Sequence, residues 1–374
     1  MPLTPEQEAA PWKTSTPVQD AAIATAMTAF TAPLRLRLDG GALVNNWRWL
    51  QRHSGGAACG AAIKANGYGT GAVEVMRRLL VAGCRDFFVS NWAEAALLEP
   101  MLQDGINLSV FHGVRSEDMQ TAIASRARPV LCTADQIARW KAAGRGACDV
   151  MVDTGMNRLG LDWRSDVAAA LDGLTVDTLL SHLASADEDS GLSKLQLDRF
   201  GALTGKATAR RYSLANSAGI CLGQAYAFDL TRPGLALYGG IPRTEAAGNI
   251  AQVVFPQAQV LQRRHVPAGD GIGYNAVHIA ERDMEIAVLN IGYADGYLRC
   301  FSGRGMVGAG DVQLPVVGRV SMDLVAVDVS AMPSVWEGDW LDIAYDLPAT
   351  ATLSGLSQYE LLTGLGPRYD RLWE

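Results

Sequence analysis

From Ala58 to Gly239 the apolar positions switch repeatedly between alternation at every second residue and recurrence at every third or fourth. This pattern predicts eight short strands: Ala58–Lys64, Asp86–Asn91, Asn107–His112, Arg128–Cys132, Asp149–Asp153, Thr178–His182, Tyr212–Asn216 and Phe228–Arg232. Helical segments such as Ala72–Ala82, Ala93–Leu102, Ala134–Ala143 and Ser193–Lys206 lie between them. Strand and helix in strict alternation make a (β/α)8 barrel of the TIM type the natural closure. The repeat is topological, without a repeated motif, so an open doubly wound sheet is the alternative. Polar residues decide between the two. Lys64, Asn91, His112, Arg158, His182, Asn216, Ser217 and Arg232 fall at or just beyond the carboxyl ends of different strands, and only a closed sheet brings them to one mouth.

After Gly239 the pattern changes. Strand-like runs at Gln252–Leu261, Glu285–Ile291, Val312–Val317, Leu324–Val329 and Trp340–Tyr345 are separated by Gly, Pro and Asp turns, with little helix before Ser354–Leu362. We expect an N-terminal extension over 1–33, a barrel over 34–245 and a β-rich domain over 246–374. The early strand Leu34–Leu38 would pair with that second domain, because an isolated strand leaves its backbone groups unpaired.

Composition narrows the partners. The 374 residues are 49% hydrophobic, enough for two cores, and the net charge of −7 comes with 32 scattered Lys and Arg residues. Neither a nucleic acid nor a membrane surface is favoured by that distribution, and a small molecule is. The six cysteines (Cys59, Cys84, Cys132, Cys148, Cys221, Cys300) have no metal-ligand spacing, so we expect buried thiols, a reducing cytoplasmic setting and no metal. The Ala/Thr run Ala21–Ala32 ends in small residues, which keeps a signal peptide as the alternative to a flexible or partly helical extension.

Lys64 ends the apolar strand Ala61-Ala62-Ile63. A partly desolvated lysine at a barrel mouth has a lowered pKa and suits Schiff-base formation with an aldehyde cofactor, although strand-end lysines also snorkel to solvent. Asn216-Ser217-Ala218-Gly219 and Arg232-Pro233-Gly234-Leu235 close strands seven and eight, where small residues let backbone N–H groups approach a phosphate.

Six segments together carry a resemblance: Ala62–Gly69 (AIKANGYG), Asp153–Gly160 (DTGMNRLG), Ser181–Asp187 (SHLASAD), Arg232–Gly239 (RPGLALYG), Ile291–Tyr297 (IGYADGY) and Gly318–Asp323 (GRVSMD). In order and content the chain from Leu34 onward resembles the alanine racemases. The resemblance implies a pyridoxal 5'-phosphate enzyme made of a barrel and a β domain, working as a homodimer whose two sites each borrow residues from the partner. Lys64 would bind the cofactor and serve as one base, and Tyr274 would be the opposite base from the other subunit, since racemisation needs a group on each face of the planar carbanion. Tyr68, Ser217 and the N–H groups of Gly234 and Leu235 resemble the phosphate cradle, with Asn216 beside it. Arg232 would face the pyridine nitrogen and donate to it without protonating it, which limits transamination. His182 resembles the histidine that links this arginine to the partner's tyrosine. Arg158 resembles the residue that meets the cofactor's phenolic oxygen and the substrate carboxylate. The Met322 N–H would also meet that carboxylate, and Tyr293 and Asp323 resemble partner-supplied residues at the entrance.

The chain departs from the family in three places. Met151 stands where a carbamylated lysine often braces the arginine, Thr70 where a histidine is common, and Pro367 where some members place a second phosphate-binding tyrosine. The expected reaction is conversion of L-alanine to D-alanine, for the cell wall in a bacterium. The alternatives are a racemase of broader scope, taking serine or larger side chains, and a non-catalytic carrier of the cofactor. A related decarboxylase would carry an acidic residue in the place of Arg232.

Overall fold

The computed structural model describes residues 31–374 except Arg145, so all but the last three residues of the expected N-terminal extension lie outside the described residues. Seven parallel strands run side by side: Ala61–Ala62, Asp86–Val89, Asn107–Val110, Arg128–Leu131, Cys148–Asp153, Val176–Leu180 and Arg211–Ser213. The eighth, Leu230–Thr231, pairs in parallel with Ala58–Cys59, the first half of a strand that Gly60 interrupts. A Cβ at Gly60 would stand 2.8 Å from the Asp86 carbonyl oxygen and 2.9 Å from the Phe88 ring, so only glycine fits this crossing. The ring closes through single hydrogen bonds. Asp229 N donates to Tyr212 O (3.0 Å) and Arg232 N to Ala215 O (2.8 Å), while Gly60 N donates to Thr231 O (2.9 Å) and Ala62 N to Pro233 O (2.8 Å).

Most of the strands stop two or three residues before their predicted carboxyl ends. Lys64, Asn91, His112, His182, Asn216 and Arg232 leave the ladder there, because their side chains and backbone groups are taken by the loops of the mouth. Helices follow the expected phase. Ala72–Ala82 is as predicted, and Asn91 and Thr133 cap the helices Trp92–Leu98 and Ala134–Ala142 by accepting from Glu94 N and Gln136 N.

The opposite end of the barrel holds a buried ion network. The Asp177 carboxylate meets Arg210 (2.6 Å), Arg211 (2.8 Å) and Arg128 (3.0 Å), and Arg211 also meets Asp86 (2.7 Å). Asp149, fully buried, accepts from Ser109 Oγ (2.5 Å) and Thr178 N (3.0 Å). These residues sit at the amino ends of five strands, so the network ties the strands together where no chemistry is placed.

The second sheet is antiparallel over most of its length and closes on itself. Its order is Met284–Leu289, Val325–Asp328, Val312–Val317, Met306–Ala309, Trp340–Ile343, Val254–Val266, Leu34–Leu38 and Asp370–Trp373, with Met284–Leu289 also pairing with Val254–Val266. Leu34, Leu36 and Leu38 are buried and the two arginines between them are not, the alternation of a half-buried strand. The short strands Met306–Ala309 and Asp370–Trp373 were not anticipated. The helix expected over Ser354–Leu362 is two helices, Leu347–Ser354 and Gln358–Thr363, because Gly355 ends the first in the left-handed region and Ser357 starts a capping box with Glu360.

Burial alone would push the Asp177 carboxyl up, yet hydrogen bonds from Arg210 and Arg211 and the charge of Arg128 hold it well below the usual carboxylate range. A depressed folded pKa stabilises above the unfolded value and loses that contribution as pH falls through about 4 and below. Asp177→Asn should therefore cost about 3–5 kcal/mol in urea unfolding at neutral pH, since it removes the carboxylate that three guanidinium groups share and leaves Asp86 and Asp149 to balance them. The difference from the unmodified protein should shrink on acidification.

Candidate active site

Lys64 lies where the first barrel strand breaks into a single turn, Lys64–Tyr68, wound in the left-handed sense. Ala65, Asn66, Gly67 and Tyr68 have φ of 53°, 52°, 62° and 53°, a conformation that non-glycine residues adopt singly and seldom in series. Local bonds hold it. Gly67 N donates to Ile63 O (2.8 Å), Gly71 N to Asn66 O (2.8 Å), Thr70 Oγ1 to Gly67 O (2.5 Å) and Arg371 Nε to Gly69 O (2.8 Å). Thr70 is thus a buried backbone brace.

The Lys64 amine enters a cavity of about 290 Å³ lined also by Phe111, His112, Met151, Arg158, Ser181 and His182. Its Nζ stands 5.8 Å from the centre of the Phe111 ring. Burial lowers its pKa and the charges of Arg158 and Arg232 lower it further, while Glu94 opposes them. His182, half-buried, is driven to about 3 by burial and by Arg232, Arg158 and Lys64, so its ring is neutral at ordinary pH. Arg232 is buried and makes no ion pair among the described residues. Its Nη2 donates to Ser181 O (2.6 Å) and its Nη1 to Ser213 Oγ, which leaves Nε without a hydrogen bond. Desolvation lowers its pKa to about 10, against the pull of Asp149. No hydrogen bond joins Arg232 to His182 among the described residues: the Arg232 bonds go to Ser181 O and Ser213 Oγ.

Arg158 belongs to the loop after the fifth strand. The Asp153 carboxylate gathers the N–H groups of Gly155 (2.8 Å), Met156 (2.9 Å) and Arg158 (2.9 Å), and Asn157 turns left-handed at φ 57°. The Arg158 guanidinium itself is exposed and bonds nothing among the described residues. Met151, 8% exposed, presents only a thioether to this side of the cavity.

On the other side of the barrel axis a cradle forms. Ser217 Oγ accepts from Gly234 N (2.9 Å) and Ala236 N (3.2 Å), so its own proton is free to be donated, and Leu235 N has no partner among the described residues. A Cβ on Gly234 would stand 2.3 Å from the Tyr68 hydroxyl, which locates that hydroxyl against the glycine. Burial keeps the Tyr68 phenol well above its ordinary pKa, hence a donor. Asn216 does not reach the cradle directly: its Oδ1 caps the helix Ser217–Cys221 by accepting from Gly219 N (2.8 Å). Sequence reasoning missed Tyr359, whose ring lies 6.3 Å from that of Tyr68 on the helix Gln358–Thr363. A tyrosine does stand beside the cradle, therefore, whereas Pro367 is exposed and lines no part of the cavity.

Four expected residues lie elsewhere, in turns and loops that accompany the second sheet. Tyr274 sits on a turn after Gly271–Ile272 and is 65% exposed; Met322 is 53% exposed. The turns that carry them touch, since a Cβ at Gly318 would meet Ile272 O at 2.8 Å. Tyr293 N donates to Ser321 O (3.0 Å), its ring lies under Arg299 at 5.4 Å, and Asp323 accepts from Arg368 (2.7 Å). None of the four lines the Lys64 cavity of the same chain.

An amine kept reactive by desolvation, a hydroxyl-and-amide cradle that a single methyl group would fill, and a buried guanidinium whose Nε bonds nothing among the described residues fit pyridoxal phosphate. They would hold its aldehyde carbon, its phosphate and its ring nitrogen respectively.

Residues 38–242 match the family description "Alanine racemase, N-terminal domain" and residues 253–373 match "Alanine racemase, C-terminal domain". The alanine racemase of Dinoroseobacter shibae is 43% identical over 348 residues, covering 91% of this chain and 97% of that protein. That of Acidiphilium cryptum is 39% identical over 352 residues, covering 90% and 98%. The crystal structure of alanine racemase from Bartonella henselae with covalently bound pyridoxal phosphate superposes with a TM-score of 0.85 at 32% identity, over 92% of this chain and 100% of that one.

Gly234→Ala should weaken cofactor affinity at least about tenfold, because the added methyl displaces the Tyr68 hydroxyl and costs one or more hydrogen bonds to a charged phosphate. Titration of the apoprotein with pyridoxal phosphate, followed by absorbance, checks this; unchanged affinity would move the phosphate away from Gly234.

Proposed function

Since the chain belongs to the alanine racemase family, we propose that Lys64 and Tyr274 carry the two proton transfers by which it interconverts L- and D-alanine, each complete site being built from two copies of the chain. Bound pyridoxal phosphate supplies an electron sink conjugated to the substrate amino group, which makes the α-proton removable. The observation that carries the reading is the division of the expected residues. In one chain the cavity around the Lys64 amine is lined by Arg158, His112, His182 and Asp153 and by no tyrosine, while Tyr274 stands exposed on the turn after Gly271–Ile272, outside that cavity. Inverting a stereocentre requires a proton to leave one face and arrive at the other, so a group from a second wall is needed. Val277, Ile279, Met322 and Leu324 are exposed on the segments that carry Tyr274 and Met322, as a surface awaiting a partner would be.

In this reading Lys64 Nζ holds the cofactor and, released from it, moves the α-proton on its own side; the Tyr274 hydroxyl moves it on the other. Arg158, with no protein partner for its guanidinium, orients the substrate carboxylate, and the Met322 N–H, which bonds nothing among the described residues, assists from the partner. Arg232 Nε faces the ring nitrogen and keeps its own proton. Ser217, Tyr68 and the Leu235 N–H hold the phosphate, the Gly234 N–H, which donates to Ser217 Oγ, being shared with it, and Asn216 fixes the helix beneath. His182, kept neutral, lies between Arg232 and the partner's tyrosine, and Tyr293 and Asp323 narrow the entrance. We propose the chain's division at 245/246, into barrel and β-rich domain, on the switch of sheet type there. We also propose a cytoplasmic location, on six cysteines carried as free thiols; no helix among the described residues is long and apolar enough to cross a membrane.

Tyr274→Ala should lower turnover about 10²–10⁴-fold, with solvent-hydrogen incorporation suppressed far more for one enantiomer than for the other. Mixed with inactive Lys64→Ala protein under conditions of subunit exchange, it should regain up to about a quarter of the native activity, because each heterodimer carries one intact site. Exchange without recovery would return Tyr274 to the site of its own chain or remove it from catalysis.

A further inference from the structure

We infer that Glu94 is a positioning residue for the cofactor site: its carboxylate clamps the left-handed turn that follows Lys64 and so sets the spacing between the two anchor points, the Lys64 amine and the Tyr68 hydroxyl. One oxygen accepts from Ala65 N at 2.8 Å and the other from Ser90 N at 2.7 Å. These N–H groups lie just past the ends of two neighbouring barrel strands, Ala61–Ala62 and Asp86–Val89, so one side chain staples them together on the cavity side. Glu94 is itself fixed, because its own N–H is the one that Asn91 Oδ1 caps at 3.0 Å. Charge-assisted bonds of this kind are short and directional.

The need for a clamp follows from the backbone. Ala65 opens five consecutive residues of positive φ, Ala65 to Gly69, and two of the others, Asn66 and Tyr68, are also not glycine. An L-residue prefers to leave this region unless the surroundings over-determine it. Asn66 Oδ1, accepting from Ala72 N at 3.0 Å, and Arg371, bonding Gly69 O, secure the far end of the turn; Glu94 secures its start. Were Ala65 to relax, the Lys64 side chain and the Tyr68 ring, four residues apart on one turn, would move relative to each other. The charge matters as well. The groups acting on the Lys64 amine are Arg158, Glu94 and Arg232, and the titratable groups that line the cavity with it are Asp153, His112, His182 and Arg158. Asp153 is engaged by the N–H groups of its own loop, and Glu94 is the carboxylate whose charge acts on the amine.

The inference rests on Lys64 being the cofactor lysine, so the test begins there. Borohydride reduction of the holoenzyme followed by peptide mapping should label Lys64; a label on another lysine defeats the assignment of Lys64 itself. With that label in hand, Glu94→Gln should weaken pyridoxal phosphate binding at least about tenfold. It should also shift the pH midpoint of Lys64 modification in the apoprotein downward, because a negative charge that favours the ammonium form is gone. Ala65→Gly, which relieves the left-handed turn without touching Glu94, should be near neutral alone and should recover part of the affinity in the double variant. If Glu94→Gln fails to fold, Glu94→Asp, with the charge kept and the reach shortened, should lose affinity while keeping the pH midpoint. Lys64 labelled, affinity within twofold and an unmoved midpoint would overturn the role of Glu94 and leave the rest of the site standing.

Discussion

Positive charge without a matching carboxylate organises the mouth of the barrel. Lys64, Arg158 and Arg232 converge there from the first, fifth and eighth strands; neither arginine has an ion-pair partner among the described residues, and the nearby carboxylates of Glu94 and Asp153 are engaged by backbone N–H groups. At the other end of the same barrel the charges cancel, Asp86, Asp149 and Asp177 against Arg128, Arg210 and Arg211. A buried charge is tolerable when paired, and costly otherwise. The floor is therefore a structural device, and the mouth is a site for anionic groups: a phosphate, a phenolic oxygen and a carboxylate.

That contrast also explains the proton chemistry. Burial, reinforced by the uncompensated cations, lowers the Lys64 amine and holds His182 neutral, so one group is kept reactive and the other can only donate or accept as an uncharged ring. Arg232 has its two terminal nitrogens fixed by strands six and seven, which aims the remaining one. Each effect depends on closure of the sheet, since an open sheet would leave these strand ends facing solvent at separate points.

Tight backbone geometry sets the positions. Gly60 lets the first strand cross the second and eighth, Gly234 lets the Tyr68 hydroxyl reach the cradle, and the left-handed turn from Ala65 to Tyr68 fixes Tyr68 relative to Lys64, the two proposed cofactor anchors. The second sheet enters the same framework through its last residues. A Cβ on Gly69 would meet Leu362 O at 2.5 Å, and Arg371 reaches back to Gly69 O. The β domain thus braces the turn that bears Lys64 in its own chain while presenting Tyr274 outward.

Hydrophobic periodicity was enough to read eight barrel strands and five of the later strands, because half-buried strands and amphipathic helices write their burial into the order of residues. The strand Leu34–Leu38 was legible for the same reason. Residue type at strand ends exposed Lys64, Arg158, Ser217 and Arg232, since a barrel places its chemistry there. Element ends were less legible. Where Lys64 and His182 leave the ladder is decided by loop hydrogen bonds, and the split near Gly355 by a left-handed cap. Tyr359, Glu94 and the capping role of Asn216 were beyond reach: each acts through a neighbour distant in sequence, or through a backbone N–H that has no side-chain signature. What the sequence determined by itself is the set of local burial patterns and the chemical character of the strand ends. Which groups meet, and which charge stays unpaired, belongs to the tertiary structure alone, because distance between residues far apart in the chain is set only when the sheet closes.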